Sequence, residues 1–168
     1  MNPKTDGRSR TIISAPFGEN RVNSGLLRGT TVMTFDGELP VEHLTRGDRI
    51  ITRDTGMAFL RGVDVAIRRA RCVRITARTL GTNRPDGDLI LPAQTAINIR
   101  DWRAKALYGA DAALIPAYRL IDGEFITDMG NTDVRMYELR FDTSHILYAG
   151  GMEIVAPQYQ TTQIARHA

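Results

Sequence analysis

The sequence predicts an all-β fold carrying one short helix, and three observations predict it. β-Branched residues are spread along the whole chain, as short strands require. Fifteen glycines supply the tight turns that join such strands. A turn followed by a short apolar run also recurs: "FDGE" at 35–38, Arg46-Gly47-Asp48 before 49–53, and Thr55-Gly56.

The elements follow in order. Residues 1–24 are polar, rich in Asn, Ser, Gly, Pro and Arg, and read as a flexible N-terminal arm. "GTTVMTFDGELPVEHL" gives a strand, a hairpin turn at Asp36-Gly37 and a second apolar segment. Further strands are expected at 49–53, 62–68, 73–78, 88–91 and 95–99, with "LGTNRPDGD" as a loop. "DWRAKALYGADAAL" is the best helical segment, broken at Gly109. Strand-like "AYRLIDGEFITDMG" and "RMYELRFDTSHILYAGGMEIVA" come next, then a polar tail over 158–168.

Composition bounds the function classes. At 168 residues, 42% hydrophobic and 24% charged, the chain fits one soluble globular domain with short extensions. A net charge of +3, mostly scattered arginine, does not indicate nucleic-acid binding. Arg68, Arg69, Arg71, Arg74 and Arg78 do cluster, yet strand alternation divides them between two faces. Cys72 is the single cysteine, which excludes an internal disulfide and a multi-cysteine zinc site. It reads as a small apolar strand residue. His43, His145 and His167 have no close ligand spacing, so neither a metal nor another cofactor is expected. No apolar run reaches the length of a membrane span, and "MNPKTDGRSR" lacks a signal-peptide core. The expected location is cytoplasmic.

An internal repeat runs through the chain. "LPVEHLTRGDRIIT" at 39–52 matches "IPAYRLIDGEFIT" at 115–127, pairing Pro40, Leu44, Gly47 and Asp48 with Pro116, Leu120, Gly123 and Glu124. Gly29-Thr30 with the following "FDGELPVEHLTRGDRIITRDTG" resembles the opening block of the Hint domain. That module is shared by hedgehog autoprocessing domains and inteins, and the likeness is to its bacterial hedgehog/intein-type form. "MYELRFDTSHILYAGGMEI" at 136–154 resembles the closing block, so the likeness spans residues 25–157. It implies an all-β disc with pseudo-two-fold symmetry, which accounts for the repeat.

The resemblance also implies acyl-shift chemistry. A Cys or Ser opening the domain attacks the carbonyl before it, and a Thr-x-x-His block polarises that bond. The nucleophile falls four residues before the Gly-Thr pair, where this chain has Gly25. Aligning the proline of "DLILPAQTAINI" puts Leu91 at the threonine and Gln94 at the histidine. Glutamine donates a hydrogen bond but does not exchange a proton near neutral pH. His145 matches the closing histidine, with Asp142 three residues earlier and Glu138 on the preceding strand. The expectation is a catalytically degenerate Hint-fold domain that binds a protein or peptide, including its own N-terminal arm. A former cleft lined by Gly25, Gln94 and His145 is the expected binding site. The alternative is residual self-cleavage before Ser24 by an N-to-O acyl shift, with His145 and Asp142 assisting.

Overall fold

The computed structural model describes residues 25–157; the arm, the tail and Ser24 lie outside the described residues. The elements are β1 (Leu26–Leu27), β2 (Thr31–Thr34), β3 (Gly37–Pro40), β4 (Arg49–Thr52), β5 (Gly56–Phe59), β6 (Gly62–Ile75), β7 (Leu89–Pro92) and β8 (Ala96–Ile99). They continue with α1 (Trp102–Tyr108), β9 (Ala113–Pro116), β10 (Ile126–Arg140), β11 (His145–Ala149) and β12 (Met152–Ala156). One sheet has the order β1-β10-β6-β7. The other runs β3-β2-β4-β11-β12-β8-β9, with β5 added to β4. Between them lies a core of Val32, Ile50, Leu91, Ile97, Ile115, Ile126, Leu147 and Ile154, each at most 2% exposed. The all-β expectation with a single short helix is met.

The repeat is a real pseudo-symmetry of the backbone. Thr30 N donates to Leu27 O at 3.1 Å, and Thr95 N to Pro92 O at 3.0 Å. The carbonyl of each threonine then accepts from the residue after the matched proline, Val41 or Ala117. Pro40 and Pro116 have φ/ψ of −57/140 and −59/139, and each precedes a 3-10 turn. Leu44 and Leu120, which anchor the two copies, are both buried. Gly47 and Gly123 turn the chain at φ +93 and +79, a region open to glycine without steric cost.

Three sequence expectations need correction. The strands placed at 62–68 and 73–78 are one continuous strand, β6, ending at Ile75. An exposed antiparallel ribbon carries charge on both faces, so the arginines of "RRAR" do not interrupt it. Arg69 faces Asp133 at 3.8 Å and Arg71 faces Asp128 at 2.8 Å. β10 likewise runs through Gly130, because the register shift between Asp128 and Gly130 absorbs the extra residue. The helix of "DWRAKALYGADAAL" breaks at Gly109 as expected, with Asp101 capping its start and Gly109 its end at φ +65, but the segment does not resume as helix, since 113–116 form β9.

Candidate functional site

Gly25 opens the described chain where β1 joins the edge of β10, in register Leu26 to Tyr137 and Leu27 to Met136. Its backbone is held by one side chain. The Thr95 hydroxyl accepts from Gly25 N at 3.1 Å and donates to Gly25 O at 2.9 Å. Thr95 is fully buried and Gly25 partly so, and the one hydroxyl satisfies both peptide groups. Gly25 has φ +154, and a Cβ added there would lie 2.8 Å from Tyr137 O and 3.1 Å from Met136 Cγ. Residue 25 is therefore a place that only glycine fills without a backbone shift. Leu91 is buried in β7, and Gln94 sits half-buried in the turn after it, beside Thr95.

His145 begins β11 and belongs to a second network. Its Nδ1 lies 2.9 Å from Asp54 Oδ2, and its Nε2 lies 3.2 Å from Thr143 Oγ1. The other oxygen of Asp54 accepts from Ile146 N at 2.9 Å. Phe141 meets the ring edge-on, with centroids 5.3 Å apart. A carboxylate only accepts, so Nδ1 donates to Asp54, and in the neutral ring Nε2 accepts the Thr143 proton. The carboxylate on His145 is thus Asp54. Asp142, highlighted by the sequence, accepts two hydrogen bonds from Arg61 at 3.1 and 2.9 Å. Gly25 and Gln94 are brought together through Thr95, whereas His145 shares no hydrogen-bond partner with either.

Other flagged residues also find their places. Burial holds the Glu138 carboxyl above its ordinary range, with Arg68 opposing the shift and Asp64 adding to it. Cys72 is fully buried, and burial pushes its thiol up, away from the reactive thiolate. The basic cluster is largely ion-paired, Arg69 to Asp133, Arg71 to Asp128 and Arg74 to Asp88. No group of three or more His, Cys, Asp or Glu side chains suited to a metal occurs among the described residues. No helix among them is long and apolar enough to cross a membrane.

Sequence reasoning missed three residues. Thr95 closes a turn as Thr30 does, but the offset of the sequence repeat pairs Thr30 with Ala106, so only the backbone hydrogen bonds match the two threonines. Asp54 lies in "RDTG", where the turn signal hid the carboxylate. Glu153 gave no signal, although it is 3% exposed beside Arg53, Arg84 and Arg100.

Comparison with known proteins places this geometry. A family model described as the Hint domain matches residues 24–155. No curated protein matches the sequence. Among solved structures, a bacterial intein-like domain from Clostridium thermocellum aligns with a TM-score of 0.53 at 13% identity, covering 80% of this chain and 99% of that one. A DnaB intein from Synechocystis sp. PCC 6803 aligns at 0.50 with 14% identity, over 81% and 100% of the two chains. The gp41-1 intein, in a substituted form, gives 0.50 at 14% identity over 80% and 99%. The structural likenesses carry the fold, the family match covers most of the sequence, and the chain belongs to the Hint domain family.

Proposed function

We propose that this Hint domain has given up the acyl shift and works as a protein-binding module. The observation that supports this is the steric closure at residue 25. The position lacks a nucleophile, and its φ of +154 and the 2.8 Å approach of Tyr137 O exclude the side chain a nucleophile would need. A change that removed only the sulfur would have left room for a Cβ. Leu91 and Gln94 at the Thr-x-x-His positions fit the same reading, because neither relays a proton.

The binding surface is the edge of β10 beside Gly25. β1 covers that edge only at Met136 and Tyr137 among the described residues. An open strand edge accepts an added peptide strand through main-chain hydrogen bonds. The occupant is a peptide segment, from a partner or from this chain's own arm with its Ile12, Ile13 and Phe17.

Intact mass tests the reading. Protein tagged at both ends is followed for a day with and without hydroxylamine, alongside Ser24→Ala and Gly25→Cys. A single full-length mass is expected in every sample. Loss of the segment before Ser24, abolished by Ser24→Ala, would establish self-cleavage and overturn the proposal. So would hydroxylamine-accelerated cleavage in a folded Gly25→Cys protein, because it would show that the site still accepts and activates a thiol.

A further inference from the structure

A cleft of about 460 Å³ opens between the 80–84 loop, the end of β8 and the start of β12, away from both networks described above. Leu80, Ile99 and Met152 give it an apolar wall; Arg84, Arg100 and Asn98 give it donors. Its floor is Glu153, only 3% exposed. Glu153 Oε1 lies 2.6 Å from Arg100, 3.3 Å from Arg53 and 3.7 Å from Arg84, and Oε2 accepts from Asn98 Nδ2 at 2.7 Å.

The charges here do not balance. Three guanidiniums converge on one carboxylate, leaving an excess of about two positive charges at half-exposed side chains. The other carboxylate on the lining is Asp101, which is engaged with Arg103 and caps α1. Like charges held this close repel one another, and an arrangement with a surplus of cations is one that a further anion stabilises. The arginines also have donors to spare. Arg100 reaches Glu153 through one nitrogen, and the Arg84 side chain reaches it only at 3.7 Å, beyond a hydrogen bond. A guanidinium fork with free N–H groups matches the oxygens of a phosphate.

We propose that this cleft binds a phosphomonoester, its phosphate held by Arg84 and Arg100, with Arg53 adding positive charge at Glu153, and its organic part against Leu80, Ile99 and Met152. A phosphomonoester carries roughly −1.5 to −2 charges at neutral pH, close to the local surplus. The volume falls within the range of small-molecule sites, about 300–1,000 Å³, and leaves room beyond the phosphate. Glu153 acts as the buried post that holds the arginines in position. The site is independent of the chemistry at residue 25.

Titration calorimetry and thermal denaturation test this with phosphoserine, glycerol phosphate, inorganic phosphate and acetate at matched ionic strength. Saturable binding of the phosphomonoesters is expected, tighter than that of inorganic phosphate, with no saturable effect of acetate. Arg84→Met should weaken binding at least tenfold while leaving the fold intact, because that side chain makes no hydrogen bond among the described residues. Arg61→Ala, on Asp142 elsewhere, should change nothing. Arg100→Met should weaken binding as well; if it fails to fold, Glu153→Gln serves instead, because it enlarges the surplus charge and phosphate should stabilise it more than it does the wild type. Equal binding of acetate, unchanged affinity in Arg84→Met, or inorganic phosphate binding as tightly as the esters would each overturn the assignment.

Discussion

Asp54 carries more of the structure than its place in a surface turn suggests. One oxygen orients His145 and the other holds the first amide of β11 after it, at 2.9 Å each. Asp54→Ala leaves both groups without that partner in a site where the two side chains are 20% and 10% exposed. Leaving buried polar groups unsatisfied costs about 1–3 kcal/mol, so a fall in Tm of roughly 5 °C is expected for a domain of this size. Asp54→Asn, which keeps an acceptor, should lose less. An unchanged Tm in the alanine variant would show that the pair does not support the fold. Cys72 makes a simpler case. Buried, with its thiol pushed up, it should resist iodoacetamide in the native protein and react fully in denaturant, read by mass. Labelling of folded protein at the denatured rate would contradict that burial. Which residues were legible from sequence follows from how they act. Cys72 showed itself through its apolar neighbours, and Gly25 through its spacing from Gly29-Thr30. Asp54 and Glu153 gain their roles from residues 91 and 100 positions away in sequence, His145 and Arg53 respectively. No local pattern encodes such a pairing.

At the scale of elements, turns were the most readable features because their chemistry is local. Gly37, Gly47, Gly109 and Gly123 all take positive φ where a turn or cap was expected. Strand ends were less readable. β6 and β10 are long because each supplies the other's pairing groups, and charge on the ribbon is balanced across strands instead of along them. The turn that launches β10 offers a test. Asp122 Oδ1 accepts from the amides of Glu124, Phe125 and Ile126 at 2.8–2.9 Å. The Ile126 bond leads in holding its carboxyl below the ordinary range, with those to Glu124 and Phe125 adding to it. A depressed folded value means the stabilisation is full above the unfolded pKa, near 4, and is lost as pH falls through the folded value. Asp122→Ala should therefore be less stable than wild type at neutral pH, by roughly 1 kcal/mol. The gap should narrow as pH falls below about 4, as urea midpoints would report. A gap independent of pH would mean that the ionised carboxylate is not what the turn uses.

The whole molecule is two copies of one motif, yet its topology denies either copy an independent existence. The β2–β3 hairpin and the antiparallel β8–β9 pair, the latter joined through α1, occupy equivalent places at opposite ends of the larger sheet. Between them, β11 from the second half pairs with β2 and β4 from the first, Ala149 opposite Val32 and Leu147 opposite Thr52. In the smaller sheet β10 pairs with β6 along its full length. Each half thus leaves long strand edges and apolar faces that only the other half covers, and exposed edges of that kind do not persist in water. Cutting the chain in the exposed 81–83 loop separates residues 25–82 from 83–157. Neither fragment alone is expected to show the near-ultraviolet dichroism of fixed aromatic packing or a cooperative urea transition. An equimolar mixture should recover both, with a midpoint that rises with concentration because folding has become association. A cooperative transition in either fragment by itself would mean that the pseudo-symmetric half is a folding unit, and that the pairing between halves was added to a motif already stable alone.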